Sequence, residues 1–181
     1  VKAVNENISL RVRAACHSTP GASHHTEFYE KFGSNMKTPK KKETKLLSLM
    51  HKNFAKYELV TEEDGQQYAV VGAGITFGEN PNFNRSWNES LTTQLWEDGL
   101  AIDDVGGTTQ ISLGGFLSVG ANGPGKHNSL QNNVLGLRFI NGVGEHVEVW
   151  RNTTAGGTIE EPSLPFDAFL VNLGLLGVLY E

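Results

Sequence analysis

The sequence predicts an α+β domain in which strands outnumber helices, and three features carry that reading. Apolar residues recur in short alternating or continuous runs bounded by Gly, Pro, Asn and Asp, which is the signature of strands. Asn141-Gly142 separates two such runs, a strong hairpin signal. One long stretch, 76–98, carries helical spacing through Leu91, Leu95 and Trp96, and Gly99 follows where a C-terminal cap belongs.

Residues 1–5 read as the tail of a helix. The run 8–13 alternates Ile8, Leu10 and Val12 with Ser9, Arg11 and Arg13, as a half-buried strand does. Between 19 and 44 the pattern dissolves among Pro20, Gly21, Gly33, Asn35 and Pro39, and Lys40, Lys41 and Lys42 read as a solvated basic loop. Residues 46–50 read as a buried strand. The runs 57–60 and 68–71 read as a hairpin around Glu63-Asp64-Gly65. After the helix candidate, whose front is broken by Asn80-Pro81-Asn82, comes a glycine-rich region from 106 to 125. Strands at 134–140 and 145–150, a loop at 153–165, a short helix at 166–173 and a strand at 177–180 complete the chain. No internal repeat occurs.

Composition narrows the function. A chain of 181 residues is one domain, or most of one, and buries a core without a disulfide or metal staple. Its net charge of −5 gives no general attraction to nucleic acid or anionic lipid. No apolar run approaches the roughly 20 residues of a membrane-spanning helix. A single cysteine, Cys16, excludes an internal disulfide framework and a cysteine-based zinc site.

Two segments read as ligand loops. Arg13-Ala14-Ala15-Cys16-His17-Ser18 follows a strand directly, and small residues opening into His-Ser form a candidate anion loop. The stretch Ile111-Ser112-Leu113-Gly114-Gly115-Phe116-Leu117-Ser118-Val119-Gly120-Ala121-Asn122-Gly123-Pro124-Gly125 spaces five glycines among small and hydroxyl residues. Such backbone can present N–H groups to phosphates and admit a flat ring, or it can be a series of tight turns with no ligand. Gly72-Ala73-Gly74 does not complete a dinucleotide fingerprint, because the next glycine is Gly78, one position late.

Taken in order, the run ending Arg13 to Ser18, Leu46-Leu47-Ser48-Leu49, Val70-Val71-Gly72-Ala73-Gly74-Ile75-Thr76, the helix ending at Gly99-Leu100-Ala101, the stretch 111–125, the stretch 134–149 and Leu173-Gly174-Leu175-Leu176-Gly177-Val178 resemble one family. It is the FAD-binding (PCMH-type) domain of the vanillyl-alcohol oxidase / p-cresol methylhydroxylase flavoproteins, nearest the aldonolactone and alditol oxidase branch. The resemblance covers nearly the whole chain, from 10 to 181. It implies two α+β subdomains, 1–75 and 76–181, with FAD extended between them. It implies cofactor contacts from Arg13, Ala14, Ala15, Cys16, His17 and Ser18 in the pyrophosphate loop. It adds Gly107, Ser112, Gly115, Val119, Gly120, Ala121 and Asn122 in the glycine-rich segment, and Val178 in the last strand. In several members the histidine of the His-Ser pair is bonded to the flavin, and that position is His17. A loop that desolvates His17 favours the bond, because only the neutral imidazole is nucleophilic. The activity implied is hydride transfer to flavin from a hydroxyl-bearing small-molecule substrate of sugar-lactone or alcohol type. A non-catalytic binding or structural subunit that kept the fold is the alternative.

The chain departs from the family in four respects. Ala14, Ala15 and Cys16 stand where most relatives have glycines. Asn122 stands where many have His. The loop 19–42 is longer and more basic. The family's first βαβ elements and its cap domain, which supplies most acid/base residues, are absent from the sequence. The strand 8–13 is therefore expected to lack a neighbour, or to borrow one from another chain or segment packed against it. Residues 111–119 are expected to run as a turn and a strand, and a helix across 114–123 would count against the resemblance.

The remaining candidates have plainer readings. His24-His25 lack a third metal ligand at a sensible spacing. Asp103-Asp104 lead into a turn at Val105-Gly106-Gly107, and Trp87 and Trp96 are expected to pack in the core or between subdomains. Four N-x-[ST] sequons, at Asn7, Asn84, Asn88 and Asn152, exceed chance at this composition and point toward a secretory route.

Overall fold

The computed structural model describes residues 2–6, 8–17, 44–125, 129–151 and 166–181. Ser18, His24-His25, the basic run 40–42, the loop 153–165 and the sequons at Asn7 and Asn152 lie outside the described residues. Helix α1 (Lys2–Asn5) leads into β1 (Ser9–Arg13), which pairs in parallel with β2 (Thr44–Ser48), from Ser9 opposite Thr44 to Arg13 opposite Ser48. The expected missing neighbour of the first strand is thus supplied by the chain itself, on one side. No further strand joins this pair among the described residues.

The expected hairpin forms as β3 (Tyr57–Thr61) and β4 (Gln67–Val71). The glycines after it serve packing. A Cβ on Gly72 would lie 2.4 Å from the Phe54 carbonyl oxygen, and one on Gly74 would lie 1.8 Å from that of Leu49. Their N–H groups donate to the carbonyls of Lys56 and Phe54. With Ala73 N–H on the Tyr180 carbonyl, all three amides of this stretch are engaged and do not cradle a phosphate.

The long helix expected over 76–98 is confined to α2 (Leu91–Glu97). Thr76 bridges Ser112 instead, Pro81 opens a 3-10 turn, Asn84 is left-handed at φ 52°, and Trp87–Glu89 form a second 3-10 turn. The α-helix starts only where Ser90 caps it, its Oγ accepting from the Thr93 N–H at 3.3 Å. Leu91 and Leu95 are buried, but Trp96, one residue on and rotated by roughly 100°, is 78% exposed. Trp87 is also exposed, so neither tryptophan is a core residue.

The strand expected over 111–119 is a helix, α3 (Leu113–Ser118). Fully buried Ser112 caps it, and the N–H groups of Leu113 and Gly114 are held by the carbonyls of Ile75 and Ala73. That close approach needs glycine, since a Cβ on Gly114 would lie 2.7 Å from Ala73 Cβ. The helix ends at Ser118, and Gly120 turns left-handed at φ 63°, so no helix spans 114–123.

The second hairpin joins β5 (Gly136–Ile140) and β6 (His146–Trp150), with Ile140 opposite His146. The connection is therefore residues 141–145, not a two-residue Asn-Gly turn. Asn141 Oδ1 accepts from the N–H groups of Val143 and Glu145, and the left-handed residue is Gly144. After α4 (Asp167–Leu170), β7 (Val178–Leu179) adds to β5 on its other edge.

Two apolar clusters hold these parts together. One gathers Ile75, Phe77, Leu91, Leu95, Phe116 and Leu117 around an edge-to-face Phe77–Phe116 pair with centroids 5.1 Å apart. The other packs Leu49 and Ala73 against Leu137, Phe139, Leu170 and Leu179. Among the described residues, no helix is long and apolar enough to cross a membrane.

Candidate cofactor cleft

Three segments distant in sequence end at one cleft of about 290 Å³. The first is the outflow of β1. Parallel pairing carries the chain to Arg13, whose carbonyl accepts from Leu49 N–H, and residues 14–17 then leave the sheet. Cys16 adopts φ 59°, in the left-handed region that disfavours side-chain-bearing residues. Its Sγ donates to the Ala14 carbonyl at 3.3 Å. Among the described residues nothing accepts from the N–H groups of Ala15, Cys16 and His17. Successive N–H groups in such a turn form an anion-binding concavity.

The second segment is α3 with its flanks: Ile111, Ser112, Gly114, Gly115, Ser118, Val119 and Ala121 line the cleft. The N–H groups of its first turn are already taken, by Ile75, Ala73, the Ser112 hydroxyl and the Ser112 carbonyl. This helix therefore offers a smooth wall rather than a row of donors. The third segment is the turn before β7. Asn172 shapes it by donating to the Phe169 carbonyl at 2.7 Å and accepting from Gly174 N–H at 2.6 Å. Leu173 donates to the Ser118 carbonyl at 2.9 Å, which ties this turn to α3. Gly177, at φ 147°, passes so close to β5 that a Cβ there would lie 2.1 Å from the Ile140 carbonyl oxygen.

The cleft thus brings together Arg13, Ala14, Ala15, Cys16, His17, Ser112, Gly115, Val119 and Ala121. Gly107, Gly120, Asn122 and Val178 are not in its wall. Gly107 and Asn122 are exposed, Gly120 faces Val171, and in β7 it is Leu179 that lines the cleft. Leu49 and Asn172 are wall residues that the sequence reading did not single out, although Asn172, directly before Leu173-Gly174, carries the marks of a side chain-capped turn. His17 is exposed at the cleft, not desolvated. Asp103-Asp104 do not simply lead into a turn, because Asp104 is buried and accepts from Gly123 and Gly125.

The residues present fit an anionic dinucleotide with a flat ring. The described lining includes the Arg13 guanidinium and the His17 imidazole and no carboxylate, although the chain is acidic overall. The left-handed turn at Cys16 presents N–H groups that no described residue engages, and glycines and small residues leave a smooth wall beside it. The volume of about 290 Å³ falls just short of the roughly 300–1,000 Å³ of small-molecule sites.

No protein-family model and no curated protein sequence matches the chain. Solved structures do. Cholesterol oxidase from B. sterolicum superposes with a TM-score of 0.64 at 18% identity, over 98% of this chain and 30% of its own. Alkyldihydroxyacetonephosphate synthase superposes with a TM-score of 0.62 at 16% identity, over 98% of this chain and 27% of its own. The chain therefore spans less than a third of the length of the solved proteins it matches. The chain has the α+β fold of the FAD-binding domain of PCMH-type flavoproteins.

Proposed function

We propose that this chain is the FAD-binding portion of a flavin-dependent oxidoreductase acting on a hydroxyl-bearing substrate of sugar-lactone or alcohol type. The observation that carries this reading is the convergence, in a flavoprotein fold, of three segments on a cleft whose described lining holds no carboxylate, with a left-handed N–H turn at its edge. Bound FAD supplies a hydride acceptor, and the protein's part is to hold and orient it. Arg13 and the N–H groups of residues 15–17 hold the pyrophosphate. Ser112, Gly115, Val119 and Ala121 form the wall against which the flavin end rests. The halves 1–75 and 76–181 meet along that line. His17 is the residue we propose for a bond to the flavin.

One observation favours the second reading, a non-catalytic subunit that kept the fold. Ala14 and Cys16 put side chains into the pyrophosphate loop, and Cys16 does so in a conformation that glycine adopts without strain. The sequons extend the proposal to a secretory route. Asn84 and Asn88 are both exposed, beside the exposed aromatic rings of Phe83 and Trp87.

One experiment on protein from its native source addresses these points. The intact mass is measured, the sample is denatured in acid, and flavin colour is sought in polypeptide and supernatant. Colour retained on the chain, and lost in His17→Ala, supports the covalent bond. Flavin released wholly into the supernatant supports non-covalent binding. Colour in neither fraction, with no binding on addition of FAD, transfers the assignment to the non-catalytic reading. A glycosidase-sensitive mass increment at Asn84 or Asn88 supports the secretory route, and an unmodified chain rejects it.

A further inference from the structure

We propose that Asp104 is a positioning residue of the cofactor cleft, whose carboxylate clamps the N–H groups of Gly123 and Gly125 and so holds Ala121 in the cleft wall. The proposal rests on the FAD reading of that cleft.

Asp104 is only 6% exposed and does not line the cleft. A carboxylate is buried at large cost unless its oxygens are satisfied. Here each oxygen takes one backbone donor: Oδ2 accepts from Gly123 N–H and Oδ1 from Gly125 N–H, both at 3.2 Å. The two glycines are what let the carboxylate in. A Cβ on Gly123 would lie 2.1 Å from Asp104 Oδ1 and 2.1 Å from the Val105 carbonyl oxygen, and one on Gly125 would lie 2.9 Å from Asp104 Cγ. Asp104, Gly123 and Gly125 therefore form one device, spanning about twenty residues of sequence.

The device acts on the cleft through the segment it ends. Residues 120–125 leave α3 with Gly120 N–H on the Leu117 carbonyl and Ala121 N–H on the Phe116 carbonyl. The Ala121 carbonyl accepts from Gln131 Nε2 at 2.9 Å. Ala121 is thus fixed on its helix side, and the Asp104 clamp fixes the chain beyond it. Without the clamp, a stretch rich in glycine has few side chains to define its path, and its freedom is greatest there. The residue type follows from the geometry. Aspartate accepts on both oxygens, whereas asparagine accepts on one and turns an NH₂ toward the other N–H.

The test uses the full chain without cofactor, as wild type, Asp104→Asn and the exposed control Glu97→Gln. FAD binding is read from quenching of flavin fluorescence and from the absorbance band shape of the bound flavin. Folding is read from circular dichroism, and amide hydrogen exchange is followed at Gly123 and Gly125. The expected result is protection of both amides in the wild type, lost in Asp104→Asn. That variant should bind FAD about tenfold more weakly with an altered band shape while remaining folded, and Glu97→Gln should match the wild type. Unchanged affinity and band shape in a folded Asp104→Asn overturns the proposal and leaves the FAD reading standing. Should Asp104→Asn not fold, the wild-type amides decide: unprotected Gly123 and Gly125 overturn the clamp. A wild type that binds no FAD overturns the cofactor reading itself, and this inference with it.

Discussion

Cys16 is the residue at which sequence and conformation disagree most. A small-residue loop after a strand is what an anion site requires, and residues 14–17 form one. Yet Cys16 sits at φ 59°, where an L-residue other than glycine is disfavoured by roughly 1–2 kcal/mol. The Sγ contact to the Ala14 carbonyl is a weak compensation. Cys16→Gly should therefore stabilise the fold by about 0.5–1 kcal/mol, the relieved strain less the extra freedom of glycine in the unfolded chain. Urea unfolding reads this directly, and a lower midpoint in the glycine variant would remove strain from the account of this loop. His17 shows a different mismatch. The loop delivers it to the cleft but leaves it exposed, so any desolvation of its imidazole must come from what occupies the cleft.

At the scale of elements, the hairpin β3–β4 was legible because two short apolar runs and a glycine turn agree locally. The glycine-rich helix α3 was not, because glycine has poor helix propensity and its capping and packing partners come from residues 73–75 and 112. The Asn141-Gly142 signal marked the right place and the wrong turn: Asn141 Oδ1 takes two backbone donors and widens the connection to five residues, 141–145. One of the side-chain bonds that tie elements together carries a pH signature. Tyr57 on β3 donates its hydroxyl to Asp98 Oδ2, just past α2, at 2.6 Å. Burial, and then the adjacent Asp98 carboxylate, push the Tyr57 phenol from 10.0 up to about 12. Above pH 10 the unfolded chain loses this proton while the folded chain keeps it. The stability linked to Tyr57 is therefore fully present below pH 10 and lost as pH rises toward 12. Thermal melts of the wild type should fall more steeply across that window than those of Tyr57→Phe, and parallel curves would show that the bond is not maintained in solution.

At the scale of the molecule, the described residues form two cores and three small sheets joined by backbone contacts such as Ala73 N–H to the Tyr180 carbonyl at 2.9 Å. Apolar surface remains uncovered near the cleft, with Leu173 50%, Leu175 75% and Leu176 42% exposed. Leu10, on the two-stranded β1–β2 sheet, is 45% exposed. Open sheet edges and clustered apolar residues drive association. The isolated 181-residue chain is therefore expected to self-associate in a concentration-dependent way, read by sedimentation velocity. A monodisperse monomer that withstands heating would contradict this.

What the sequence by itself determined about this protein is the set of local pieces and their order. The run 8–13, the hairpin at 57–71 and the small-residue loop 14–17 all follow from short apolar runs and from turn chemistry within a few residues. Tertiary structure alone decided that β2 pairs beside β1 in parallel, that the glycines of 113–118 coil into a helix, and that Trp96 faces water. It also decided that Asp104 reaches Gly123 and Gly125. Each of these depends on partners far away in the chain, and a buried backbone or carboxylate group takes whichever partner the packed fold brings within hydrogen-bond distance.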